Sequence, residues 1–330
     1  MSRTPSTLLS ALPLTLAVTT ALTLAACSDP APPRSDQAAA PRGSDKATGT
    51  GGSEASGSMI TTTWDLEPVD SVVELLPEGM RGATLTNAVY NDFPPQEFLE
   101  GDTLVGIQPD MALALSEVMG LTLENSGSAN FDSIIPGLMS GRYDIASADF
   151  GVTDDRLEQV DFVSQFAIGT GFAVVSGSDI AVTEPTDLCG HSVGVQAGSY
   201  YIDQLEAANQ GCLDGGLEEI GIQTFPNDGA RTLALTNGRI DVTATNEDVL
   251  AFQIASDNLD IEVQDLVYEP VEQAIALPDE SPLGPALEAA MKEIIDNGTY
   301  QDIMDKWGVG HLAYESTDRV VYYTDPSEAP

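Results

Sequence analysis

Arg156 carries the chain's most legible chemistry. It follows Thr153-Asp154-Asp155, a turn that the threonine can cap, just beyond a strand end. A guanidinium is a planar, two-pronged match for a carboxylate. In residues 61–330 this side chain is one of eight Lys and Arg against 48 Asp and Glu. A cation in so acidic a body would select a ligand that carries an acid; the competing reading is a surface ion pair with Asp154 or Asp155. Gly198 and Ser199 precede a helical pattern over Tyr200–Ala208, whose first backbone N–H groups would attract the same anion from another part of the fold. Tyr90, Phe93 and Phe131 stand at a strand exit and a helix start. Rings at such places either sandwich a solute or fill the core.

Composition narrows what those residues can serve. The 330 residues carry 12 Lys and Arg against 52 Asp and Glu, a formal net charge of −40. A surface that negative repels phosphates, which excludes nucleic acid and anionic membrane as partners. Residues 1–60 are neutral, since Arg3, Arg34, Arg42 and Lys46 balance Asp29, Asp36, Asp45 and Glu54, so the whole excess belongs to 61–330. With two His and three Cys there is no material for a His/Cys metal cluster, and we expect neither a metal nor a cofactor. At 42% apolar residues the chain can build cores.

The start of the chain reads as an export signal. A short basic opening leads into an apolar stretch, Leu8 to Ala26, diluted by threonines and ending Leu24-Ala25-Ala26-Cys27. Small residues before a cysteine resemble the lipobox of bacterial lipoproteins, so 1–26 is expected to be cleaved and Cys27 lipidated. Residues 27–60 then form the lipidated Cys and a flexible tether of Pro, Ala, Gly, Ser and Thr. The expected location is extracytoplasmic, with the lipid as the sole membrane contact. In that compartment Cys189 and Cys212 are expected to pair.

Strand-like runs alternate with helical patterns from Thr84 onward, the mark of an α/β fold. Thr84–Tyr90 reads as a strand, Pro109–Met119 as a helix, Asp132 as the cap of a helix through Ile134, Ile135, Leu138 and Met139, and Tyr143–Ala148 as a strand. An echo follows: Leu138-Met139-Ser140-Gly141-Arg142-Tyr143-Asp144-Ile145 is matched by Leu235-Thr236-Asn237-Gly238-Arg239-Ile240-Asp241-Val242. Two similar halves facing each other would set Ser147–Gly151 and Thr245–Glu247 across one cleft, because open α/β sheets bind ligands beyond their strands' carboxyl ends. Trp307 reads as core of the first half.

Several runs in order, Ile134-Ile135-Pro136-Gly137-Leu138, Thr153-Asp154-Asp155-Arg156, Val160-Asp161-Phe162, Val193-Gly194-Val195-Gln196-Ala197-Gly198-Ser199 and Lys306-Trp307-Gly308, resemble bacterial extracellular solute-binding proteins, family 3. The resemblance covers about residues 83–310. It implies a two-lobed periplasmic-binding-protein type II fold with two hinge crossings, lobe 1 over 83–170 and 272–310, lobe 2 over 171–271, and 311–330 as a C-terminal tail. The crossings are expected near Ala167–Ala173 and Tyr268–Gln273. It also implies a monomeric lipoprotein that hands an amino acid or similar zwitterion to an ABC transporter permease, with Arg156 on the ligand's carboxylate and Tyr90, Phe93 and Phe131 against its side chain.

Three positions depart from that family's pattern. Residue 151 is Gly where a ligand-binding hydroxyl is common, residue 149 is Asp where Gly or Ser is common, and residue 246 is Asn where an Asp usually holds the α-ammonium. The ammonium would then need Asp149 or Glu247 as its counterion, or the solute would be a compatible solute without an ordinary α-ammonium. Ligand contacts are therefore expected at Arg156, Asp149, Gly151, Tyr90, Phe93, Phe131, Ser199, Asn246 and Glu247. The competing class is a dehydratase-like enzyme on the same scaffold, with Asp149 and Glu247 as acid and base.

Overall fold

The computed structural model describes residues 63–256, 259–268 and 270–330. The expected signal peptide, Cys27 and the tether lie outside them. Two separate sheets organise the rest. One runs, edge to edge, Tyr322–Tyr323, Val160–Ile168, Val271–Pro278, Ile145–Gly151, Thr84–Tyr90 and Thr122–Ser128; the other runs Gly221–Phe225, Ser192–Gln196, Val242–Asn246, Thr170–Val175 and Ile261–Val267. A small antiparallel sheet, Asp92–Phe93, Glu97–Glu100 and Thr103–Val105, packs on the first. The chain leaves the first sheet at Gly169, between Val160–Ile168 and Thr170–Val175, and returns between Val267 and Val271.

The central strands are covered on both faces. Ile275 and Leu277 point into one core with helices Ile107–Val118, Gly284–Asp296 and Thr299–Lys306, whereas Ala274 and Ala276 join Phe150, Phe162 and helix Ile134–Met139 on the other face. This is the period-two alternation of a strand buried on both faces from Gln273 to Leu277. Trp307 belongs to the first of these cores, and its indole N–H donates to Asp110 at 2.8 Å. Asp132 does not cap a helix; it lies within a 3₁₀ turn, Phe131–Ser133, that precedes helix Ile134–Met139 without a side-chain cap.

The sequence echo is a structural one. Gly141 and Gly238 end their helices with φ of +72° and +68°, the left-handed conformation in which glycine is at no disadvantage. In the first lobe Asp144 accepts from the backbone N and hydroxyl of Thr86 at 2.8 and 2.6 Å. In the second, Asp241 accepts from the same two groups of Ser192 at 2.8 and 2.6 Å. Each aspartate thus pins the start of its strand to the parallel neighbour, which sets where that strand's carboxyl end emerges. Cys189 and Cys212 form a disulfide that ties the turn before Ser192–Gln196 to helix Tyr201–Asp214.

The segment 311–330 is strapped to the first lobe. Tyr322 and Tyr323 pair with Val163 and Phe162, while Arg319 donates to Glu272, in the returning hinge strand, at 2.8 Å.

Candidate binding site between the lobes

Strand Ile145–Gly151 ends at the lobe boundary, and Thr153 caps the short helix Asp154–Leu157 by accepting from Arg156 N at 3.4 Å. That turn aims Arg156 inward. The residue is 8% exposed, and its guanidinium donates to the carbonyl of Gly151 at 2.7 Å in its own lobe and to that of Gly198 at 2.9 Å in the other. No ion pair with Asp154 or Asp155 is present among the described residues. The guanidinium carbon sits 5.6 Å from the Phe131 ring centroid and 5.3 Å from that of Phe150. Burial lowers its pKa to about 10, so it remains a cation at neutral pH.

Facing it is a group of buried carboxylates. Asp149, held at φ +50° in the left-handed region, accepts from Asn246 Nδ2 across the boundary at 2.7 Å. Its other oxygen has no donor among the described residues. Glu97 is wholly buried, and neither of its oxygens has a donor among them. Asp248 is buried too, accepting from Gln96 at 2.5 Å and from the N–H of Val249 at 2.8 Å. Burial first, then mutual repulsion, raises Glu97 and Asp149 well above the usual carboxylate range; burial raises Asp248 to about 6. Among the described residues no group of three or more His, Cys, Asp or Glu side chains is arranged to hold a metal ion.

A second guanidinium lies further along the boundary. Arg231 is fully buried and paired with Asp228, which also accepts from Gln253 at 2.6 Å. Its Nε and one terminal nitrogen have no acceptor among the described residues. Tyr90, with an equally unpartnered hydroxyl, feels the charges of Asp92, Asp228, Glu97 and Arg231; burial is the larger cause that pushes it above the ordinary tyrosine range. Four acids, Asp149, Glu97, Asp248 and Asp228, therefore face two guanidiniums in a region shielded from water.

The family described as bacterial extracellular solute-binding proteins, family 3, matches residues 85–310. The chain belongs to that family. It is similar to the arginine-binding protein ArgT of Corynebacterium glutamicum, 30% identical over 74% of this chain and 80% of that one. The arginine-binding extracellular protein ArtP of Bacillus subtilis is 30% identical over 66% of this chain and 84% of its own length. Among solved structures, an ancestral arginine-binding protein bound to arginine superposes with a TM-score of 0.62 at 31% identity, covering 69% of this chain and 99% of that one. These relatives are named as binding proteins, and the two-lobed fold is theirs.

Within this family member the expected residues divide. Arg156, Asp149, Gly151 and Asn246 meet at the boundary. Tyr90, Phe93 and Phe131 are buried in one cluster, with Phe131 and Phe150 centroids 4.7 Å apart. Ser199 is nearby, but its hydroxyl and its N–H both donate to the Gln196 carbonyl, at 2.7 and 3.3 Å. Glu247 does not join the buried carboxylates. It is exposed at the start of helix Glu247–Ser256, its carboxylate beside hinge residue Gly169, because the helix turns the next residue, Asp248, inward instead. Glu97, Gln96, Asp248, Arg231 and the tyrosine pair Tyr200–Tyr201 escaped the sequence reading. A buried position for Arg231 could have been suspected from its place in a helix of a chain so poor in cations.

Proposed function

We propose that this protein is a tethered extracytoplasmic receptor that closes over an amino acid and delivers it to an ABC importer. The observation that carries this reading is Arg156, buried and bonded to a carbonyl of each lobe. A ligand carboxylate placed there exchanges neutral acceptors for a charge-assisted pair and touches both lobes, so it favours the closed form. Asp149, with one oxygen unengaged, supports the α-ammonium. The surplus of carboxylates supplied by Glu97 and Asp248 supports a further positive charge, and a cationic amino acid of the arginine kind fits that balance. The arginine-binding names of the relatives point the same way. The enzyme reading needed Asp149 and Glu247 together, and the exposed place of Glu247 lends it no support.

Calorimetry against amino acids and compatible solutes tests the proposal. Arginine or lysine should bind with a dissociation constant of about 1 μM or below, and Arg156→Ala should abolish the signal. Tight binding that survives in Arg156→Ala, or binding confined to solutes without a carboxylate, overturns it.

A further inference from the structure

Tyr200 and Gly151 fit one another in a way that a carboxylate clamp does not require. A Cβ built on Gly151 would come within 2.6 and 2.7 Å of two carbons of the Tyr200 ring, distances that side chains do not tolerate, and would sit tightly at 3.2 Å from Val271 Cγ1. The backbone of Gly151 is not left-handed, so what excludes a side chain at 151 is the tyrosine ring rather than conformation. The ring in turn places its hydroxyl. Tyr200 donates to Asn246 Oδ1 at 3.0 Å and Tyr201 donates to the same oxygen at 2.6 Å.

Those two bonds decide what Asn246 can do. A carbonyl oxygen has two lone pairs, and both are engaged by phenols. The amide is thereby oriented with its nitrogen toward Asp149 Oδ2, at 2.7 Å, and has no acceptor left for a ligand. Of the Asp149–Asn246 pair, Asp149 Oδ1 is the buried acceptor left unengaged. Asp149 belongs to the same strand end as the Arg156 turn, so the first lobe carries both charges that a zwitterion needs.

We propose that Tyr200 and Gly151 are a mated, specificity-determining pair that fixes Asn246 as a donor and leaves Asp149 Oδ1 to accept an N–H from the ligand's α-ammonium. Asn246 is a positioning residue in this arrangement. The inference rests on the amino-acid reading above and adds to it a requirement for at least one N–H on the α-nitrogen. A quaternary nitrogen has none.

The test uses the purified protein and three probes, L-arginine, Nα-monomethylarginine and Nα-trimethylarginine, in calorimetry. Wild type should bind the first two within about tenfold of each other and the trimethyl compound at least about 100-fold more weakly, as loss of a hydrogen bond to a buried charge requires. Gly151→Ser should lose about 100-fold for arginine through the ring clash, and Gly151→Ser/Tyr200→Thr should regain most of it. Tyr200→Phe keeps the ring but removes one of the two phenols that orient Asn246, so Asp149 is held less firmly and the preference for arginine over its trimethyl form should shrink while the melting temperature of the ligand-free protein holds. A purely structural role for Tyr200 would not move that preference. If wild type binds arginine but binds the trimethyl compound equally, or if Gly151→Ser binds arginine as wild type does, this inference falls and the receptor reading stands. If wild type binds no amino acid, both fall.

Discussion

Gln96 of the first lobe donates to Asp248 of the second at 2.5 Å, and both side chains are buried. Gln108 steadies the arrangement by donating from its side-chain amide to Gln96 Oε1 at 3.3 Å. This bond spans the lobes, so it belongs to the closed form and contributes nothing once they part. Closure is thus favoured by protein groups as well as by any ligand.

Gln96→Ala should therefore weaken ligand binding. A hydrogen bond to a charged, buried group contributes about 1.5–3 kcal/mol, which is roughly ten- to a hundredfold in affinity. Calorimetry reads the affinity, and small-angle scattering of the ligand-free protein should show a larger radius of gyration. Unchanged values of both would mean that the pair does not hold the lobes.

The raised carboxylates give stability a defined pH dependence. A carboxyl group whose pKa is higher folded than unfolded contributes stability that is complete below the unfolded value and lost as pH rises through the folded one. For Asp248 that window runs from 3.8 to about 6, and burial acts on Asp149 and Glu97 in the same direction. The ligand-free protein should melt at a higher temperature near about pH 5 than near about pH 8, and Asp248→Asn should flatten the lower part of the curve. An ammonium needs the ionised carboxylate, so ligand binding should release protons, visible as calorimetric enthalpies that differ between buffers of different ionisation heat. Enthalpies independent of buffer would contradict it.

Arg231 and Asp228 should behave as a unit. Removing one member strands the other as a buried charge, at a cost of about 3–5 kcal/mol. Arg231→Met is expected to lose stability of that order in urea unfolding, and Asp228→Asn/Arg231→Met to recover much of it. A single variant as stable as wild type would show that the pair is hydrated in solution.

The Cys189–Cys212 disulfide spans a sequence separation of 23. Closing a loop of that length restricts the unfolded chain by about 3 kcal/mol, so replacing both cysteines with alanine should lower unfolding stability by that order. A loss confined to a few tenths would indicate that helix Tyr201–Asp214 is already held in place by its own packing.

Much of the scaffold could be read from periodicity and punctuation. Thr84–Tyr90 is a strand with the expected ends, and the paired Gly-Arg-x-Asp runs mark equivalent helix stops because local backbone chemistry decides them. Arg156 was singled out for a different reason, the family resemblance of its turn together with the rarity of cations around it. The buried acids were not. Glu97 and Asp248 look like solvated charges in a chain that has dozens, and only the meeting of two lobes, far apart in sequence, removes them from water. Likewise, nothing local says that Tyr200 fills the space above Gly151, since that contact joins a strand end of one lobe to the head of a helix in the other.

The pairing of Tyr322–Tyr323 with Val160–Ile168 bears on how the molecule stays apart from its own copies. Without it, strand Val160–Ile168 would also leave Phe162 and Val163 unpaired on the sheet's outer side, and unmatched backbone donors and acceptors are a template on which neighbouring molecules could stack. The final residues act as a selvedge: they finish the fabric on that side, and trimming them would invite fraying into oligomers before it harmed the fold beneath.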